Sequence, residues 1–307
     1  MVRLTPLVAC RVLPRLGRTL VTFAFTLACS SSAQFSWTVT NLGPAGSSAS
    51  NIQATIGSQQ GGSATIGGIT GAALWSDTAG SFVNLHPSGA TVSSVFAISG
   101  TQQGGTATIG GVGSAALWSG TAGSFVNLNP SGATGSTINA ISGSQQGGSA
   151  TISGAGVAAL WSGTAGSFVN LNPTGATLSA VFSMSGPYEA GYSFISGVSH
   201  ASLWQGNASS FVDLQPTLAA ALGGSAVSSV INGIFFDGST LYLVGHGLDA
   251  SSAPTAFLMA TPVPEPSTCA ALFGLNALGF AVYRRQRRHG RTPLAPRTRV
   301  GGDEVSN

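Results

Sequence analysis

Four tryptophans, Trp75, Trp118, Trp161 and Trp204, recur every 43 residues, each followed seven positions later by Phe82, Phe125, Phe168 or Phe211. A row of indoles could stack the apolar faces of sugar rings. A second row, Asn41, Asn84, Asn127, Asn170 and Asp213, offers five side-chain oxygens, the ligand type that calcium prefers. Only one of the five is a carboxylate, and four amides with a single charge make a weak calcium site. His86, His200 and His246 stand in different repeats without His-x-x-x-His spacing or a cysteine partner, so zinc has no support. The carboxylates of this region, Asp77, Glu189, Asp213, Asp237 and Asp249, are dispersed. Glycoside hydrolysis needs two of them about 5–10 Å apart, and none lies in a motif. A phosphate loop is excluded because the chain contains no lysine. The sequence therefore gives no catalytic residue, no cofactor and no metal site.

Both rows also have structural readings. Large aromatics at a fixed repeat position pack between neighbouring units. An Asn or Asp before a leucine and a proline-containing turn satisfies the backbone of that turn. We take these readings for both.

The elements that position these residues follow from the period. A repeat of about 40–45 residues is the length of one four-stranded propeller blade. In the copy around Trp161, four extended segments stand out: 139–142, then 149–152 after the Gln-Gln-Gly-Gly turn, 158–161, and 167–171 closed by Asn172-Pro173. Glycine and Ser/Thr clusters separate them as hairpin punctuation. No stretch has helical apolar spacing, so no helix is expected. The fourth segment recurs at 82–87, 125–130, 168–173 and 211–216, and a fifth copy lies at Asn41, Leu42 and Pro44. The other three recur near the far end at 230–232, 240–244 and 256–259. A lone fourth strand at one end and three strands at the other complete one blade, which predicts an all-β, five-bladed β-propeller over 34–262. Pairing the N-terminal strand with the last three would close it and protect its edges. A β-solenoid or other β-repeat is the alternative fold; disorder is disfavoured by the regular Trp, Phe, Leu and Val.

Charge is confined to the ends. All eleven arginines lie before residue 19 or after residue 283, and the repeat region carries five carboxylates and no Lys or Arg. The formal net charge of +3 thus belongs to the termini. With no cation in the repeats to neutralise phosphate, nucleic acid is not expected as a partner. Cys10, Cys29 and Cys269 also lie in the end segments, so the repeats hold neither a disulfide framework nor a cysteine metal site.

Residues 1–33 combine arginines, a short apolar run (19–28) and Ser31-Ser32-Ala33, the pattern of a secretory signal peptide. At the other end, Val263-Pro264-Glu265-Pro266-Ser267-Thr268 precedes an apolar run (269–283) and the cluster Arg284, Arg285, Arg287 and Arg288. Residues 263–288 resemble a PEP-CTERM sorting signal. The resemblance implies that Pro264, Glu265 and Pro266 are read by an exosortase-type membrane processing enzyme. The apolar run would enter the inner membrane as a transient transmembrane helix, and the arginines would stay on the cytoplasmic side. Residues 289–307 form a polar tail on that side, longer than such signals usually carry.

Within the repeats, Ala-Leu-Trp-Ser-Gly-Thr-Ala and Phe-Val-Asn-Leu-Asn-Pro-Ser-Gly resemble bacterial extracellular repeats of the HAF type. Only His200-Ala201-Ser202-Leu203-Trp204 retains the histidine of that motif, with Gly71, Ser114 and Val157 in its place elsewhere. The expected function is that of a non-enzymatic, exported protein of the cell envelope or extracellular matrix. It would be structural or adhesive and associated with exopolysaccharide, as the sorting-signal family implies. A carbohydrate-binding propeller is the second reading, and an unrecognised hydrolase the third.

Overall fold

The computed structural model describes residues 38–221, 228–248 and 253–263. The expected signal peptide, the Pro264-Glu265-Pro266 motif, the arginine cluster and the tail lie outside them. Among the described residues no helix is long and apolar enough to cross a membrane.

The described chain is all-β and folds as five antiparallel sheets in sequence order. Sheet 1 contains β1 (Ser47–Ile56), β2 (Gln59–Ile66), β3 (Ile69–Ser76) and β4 (Val83–Asn84). Sheet 2 contains β5 (Ala90–Ser99), β6 (Gln102–Ile109), β7 (Val112–Trp118) and β8 (Val126–Asn127). Sheet 3 contains β9 (Ala133–Ser142), β10 (Gln145–Ile152), β11 (Ala155–Trp161) and β12 (Val169–Asn170). Sheet 4 contains β13 (Ala176–Ser185), β14 (Tyr188–Ile195), β15 (Val198–Trp204) and β16 (Val212–Asp213). Sheet 5 has three strands, β17 (Ser228–Phe236), β18 (Thr240–Leu248) and β19 (Pro254–Pro262). The sheets are meanders, each strand hydrogen-bonded to the next in sequence.

Several expectations need correction. Gln-Gln-Gly-Gly is not a turn. It opens the second strand of sheets 1 to 3, and the turns before it are Gly57-Ser58, Gly100-Thr101 and Gly143-Ser144. Its glycines serve close approach. A β-bulge in the first strand, with Gln53, Phe96, Asn139, Phe182 or Asn232 as the extra residue, aims a carbonyl across the ladder. A Cβ on the facing glycine would lie 1.8 Å from the Asn51 oxygen at Gly62, and 1.9 Å from the Ser94 oxygen at Gly105. Gly148, Gly191 and Gly245 meet Thr137, Ala180 and Val230 in the same way, at 1.9, 2.1 and 2.0 Å.

Helices also occur where none was expected. A single 3-10 turn (79–81, 122–124, 165–167 and 208–210) precedes each short fourth strand, which is reduced to two residues. An α-helix, α1 (Gln215–Ala221), follows sheet 4 and buries Leu218. Pro216 at its start and the run of alanines suit a helix, but seven residues are too few to show an apolar period.

Neither end of the array shows the expected strand pairing. Residues 38–44 contain no strand, and β19 pairs with β18 alone among the described residues. Leu42 instead packs beside Trp75 and Phe82. This is the place that Leu85, Leu128 and Leu171 of one sheet take beside the tryptophan of the next.

The core lies between consecutive sheets. Trp118 clusters with Ala72, Leu74 and Leu85 of sheet 1, Trp161 with Ala115, Leu117 and Leu128 of sheet 2, and Trp204 with Ala158, Leu160 and Leu171 of sheet 3. The first glycine of each pair admits the neighbouring sheet. A Cβ on Gly61 would sit 2.7 Å from Val95 Cγ1, and one on Gly104 would sit 2.6 Å from Ile138 Cγ2.

The bulge geometry predicts a sharp contrast between glycines of one repeat. Gly105→Ala should lower stability by about 1–3 kcal/mol or more through overpacking. Gly123→Ala, whose Cβ meets nothing within 4 Å, should leave the thermal melt within about 0.5 kcal/mol of the parent.

Candidate functional site

The tryptophan row does not line a surface. All four indoles are fully buried. Each is tilted against the phenylalanine seven residues on, with ring centroids 5.8–5.9 Å apart. None of the four indole N–H groups has an acceptor among the described residues. A buried ring has no face to offer a sugar; Trp118, Trp161 and Trp204 work as wedges between sheets, and Trp75 packs with Leu42 of the N-terminal segment.

The Asn/Asp row forms five copies of one turn. Asn41 Oδ1 accepts the Gly43 N–H at 2.9 Å, Asn84 that of His86, Asn127 that of Asn129, Asn170 that of Asn172, each at 2.8 Å, and Asp213 that of Gln215 at 2.9 Å. The oxygens are thus committed to their own backbone two residues on, an Asx turn. Among the described residues no three of His, Cys, Asp and Glu gather in one place.

His86 belongs to a buried polar relay between sheets. The Ala72 N–H donates to Ser93 Oγ of the next sheet at 2.8 Å, and Ser93 Oγ meets His86 Nδ1 at 2.7 Å. His86 Nε2 lies 3.0 Å from the Ala90 carbonyl, so the neutral tautomer with its proton on Nε2 fits both partners. The relay repeats with asparagine in place of histidine. Ala115 N–H donates to Ser136 and Ala158 N–H to Ser179, and these hydroxyls donate to Asn129 and Asn172. In the fourth copy Ala201 N–H donates to Ser229, whose hydroxyl meets Gln215 Oε1. No sequence reading singled out these serines. The available signal was their fixed place in each first strand (93, 136 and 179) together with the polar residue seven positions earlier.

His200 is different. Its Nδ1 lies 2.9 Å from Asp213 Oδ2 across β15 and β16, an ion pair when the ring is protonated. His246 Nδ1 meets Asn232 Oδ1 at 2.9 Å on the exposed side of sheet 5.

Three more carboxylates have local structural work. Asp77 adopts the left-handed conformation (φ 61°) where the other repeats have Gly120, Gly163 and Gly206. The Gln60 amide compensates by donating to Asp77 Oδ1 at 2.8 Å and accepting the Asp77 N–H at 2.9 Å. Asp237 Oδ1 accepts the N–H groups of Ser239 and Thr240 at 2.8 and 2.7 Å, and these bonds hold its carboxyl below the usual carboxylate range.

Glu189 is fully buried where the other repeats carry Gln60, Gln103 and Gln146. Gln103 accepts the Gly120 N–H and donates to the Thr101 carbonyl; Gln146 accepts from Gly163 and donates to Ser144. Glu189 Oε2 keeps the acceptor half, taking the Gly206 N–H at 2.9 Å, but Oε1 has no partner among the described residues. Burial pushes its carboxyl up, against the pull of the Gly206 bond.

Between sheets 4 and 5 an apolar groove is lined by Leu203, Val212, Leu214, Leu241, Leu243 and Met259. Met259 stands in the register of the tryptophans, and among the described residues sheet 5 has no fourth strand to bring a phenylalanine. The groove is the space that an indole–phenyl pair fills in the other repeats.

No family model matches the chain, and no curated protein matches it. Among solved structures, TolB from Acinetobacter baumannii is similar at 14% identity with a TM-score of 0.40, over 68% of this chain and 52% of that one. The chain therefore spans about half the length of that TolB. A protein described as TolB from Agrobacterium tumefaciens is similar at 12% identity with a TM-score of 0.42, over 68% of this chain and 87% of that one.

The Glu189 geometry predicts a pH effect with a definite sign. A carboxyl whose folded pKa is raised adds its stability below the unfolded carboxylate pKa, and loses it as pH rises through the folded value. Melting of the parent should therefore fall relative to Glu189→Gln as pH rises through that value, because the amide restores the missing donor. The gap should approach about 1–3 kcal/mol, the cost of a buried unsatisfied group. Parallel melts from pH 4 to 8 read it.

Proposed function

We propose that this chain is a non-enzymatic, exported scaffold of the cell envelope or extracellular matrix, built on a five-bladed β-propeller closed through its N-terminal segment. One observation carries the reading. In the described repeats the side chains that could do chemistry hold the sheets instead: the indoles are wedges, the Asn/Asp row caps turns, His86 joins the serine relay, and Glu189 substitutes for a structural glutamine. The remaining functional signals are in the end segments. Residues 1–33 direct export, and Pro264, Glu265 and Pro266 are read by an exosortase-type enzyme. Meanwhile the apolar run tethers the chain to the inner membrane, with Arg284, Arg285, Arg287 and Arg288 on the cytoplasmic side. Release to the surface would place the repeats among exopolysaccharide.

A carbohydrate-binding reading has one observation in its favour. Phe235 and Tyr242 are exposed at 61% and 36% on neighbouring strands, stacked with centroids 6.3 Å apart. It requires saturable glycan binding that is lost in Phe235→Ala.

The sorting reading is tested by intact-mass spectrometry of the protein from envelope and medium. A species starting near Gln34 and ending near residues 264–267 is the expected result. A chain that retains residues 269–288 in every fraction would refute processing.

A further inference from the structure

The four interfaces between consecutive sheets share one pattern, and the two outermost faces carry the halves of a fifth. In each interface a small residue of one sheet's second strand faces two side chains of the next sheet's first strand. Gly61 faces Val95 and Ile98, Gly104 faces Ile138 and Ile141, and Gly147 faces Val181 and Met184. In the fourth interface the positions are Ala190 on one side, Ile231 and Ile234 on the other.

In sheet 5 the equivalent small position is Val244, and in sheet 1 the facing pair is Ile52 and Thr55. The larger valine on one face is thus matched by the smaller threonine on the other. Gly233 makes room for Val244 within its own sheet, since a Cβ there would lie 2.9 Å from Val244 Cγ2.

Burial marks the same two faces as uncovered. Val95, Ile138, Val181 and Ile231 are fully buried, whereas Ile52 is 43% exposed. Leu74, Leu117 and Leu160 are buried, whereas Leu258 in their register is 68% exposed, and Val244 is 46% exposed. The polar relay is matched as well. Ser50 precedes Ser93 by 43 residues and is exposed, and Ala256 stands in the register of Ala72, Ala115, Ala158 and Ala201.

We infer that the outer face of sheet 5, centred on Val244 and Leu258, is the docking surface for the β1 face of sheet 1 in the same chain, through Ile52, Thr55 and Ser50. It makes a fifth copy of the repeat interface. The inference rests on the ring reading above and is independent of sorting. The same chain is the favoured occupant because Leu42 already sits beside Trp75 as the preceding sheet's leucine would. A tethered partner also outcompetes a free one at ordinary protein concentrations.

The test uses the full chain with Cys10, Cys29 and Cys269 changed to serine. Thr55→Cys with Val244→Cys should form a disulfide within one chain, because side chains in this register touch in the other interfaces and a disulfide needs Cβ atoms about 3.5–4.5 Å apart. Without cysteines, Val244→Gly and Thr55→Ile should each lower the melting temperature by about 2–4 °C. The double variant recreates the glycine–isoleucine pairing of the first two interfaces and should recover most of the loss. Disulfide-linked multimers would overturn the inference in favour of a second copy, and additive melting shifts would overturn the size match. A second pair, Thr40→Cys with Leu258→Cys, separates the two failures. If it links while 55 and 244 do not, the ring closes but these faces do not dock in this register; if neither pair links, the ring reading fails too.

Discussion

Everything in the described structure depends on how closely one sheet approaches the next. In sheets 1 to 3 a pair of glycines sets that distance by different means, and sheets 4 and 5 keep the second of the pair. The second of each pair, such as Gly105, lets the bulged first strand of its own sheet press a carbonyl against it. The first, such as Gly104, lets the neighbouring sheet's Ile138 and Ile141 seat where a Cβ would otherwise be. Only at that spacing can an indole fill the gap while a serine hydroxyl reaches the preceding sheet's alanine N–H. The glycines save no conformational strain here. They remove atoms from places that other atoms must occupy.

The same constraint accounts for the structural use of the indoles and of the Asn/Asp row. An indole wedged between sheets has given up its faces, and an Asn whose oxygen caps its own turn has given up a ligand site. Where single repeats depart from the pattern, a local compensation follows. Asp77 takes a glycine position and is held by Gln60 through two hydrogen bonds. His86 replaces an asparagine and joins the relay through both ring nitrogens. Glu189 is the exception, because it keeps the accepted bond of its glutamine counterparts and has no amide to donate.

Much of this can be read from the sequence. The 43-residue period, the four extended segments and the burial of the aromatics follow from Trp75, Trp118, Trp161 and Trp204 and their flanking turns. So does the turn role of Asn84 and its equivalents, since Asx chemistry is local. The misreadings have a common cause. Gln-Gln-Gly-Gly looks like a turn because glycine usually signals positive φ, and nothing local reveals that a carbonyl from a bulge must fit against Gly62. The serine relay is invisible for the same reason: Ser136 meets Ala115 only when two sheets stack. Helix α1 was missed because seven residues anchored by one leucine leave no period to detect.

Consecutive sheets locked by this repeated interface must unfold together. Amide hydrogen exchange at Ala72, Ala115, Ala158 and Ala201 tests it most directly, since each N–H donates across an interface to a serine hydroxyl. All four should exchange only through global unfolding, with one shared opening free energy that falls in step on Gly105→Ala. Rapid and independent exchange at these four alanines, with the sheets still intact by circular dichroism, would contradict it.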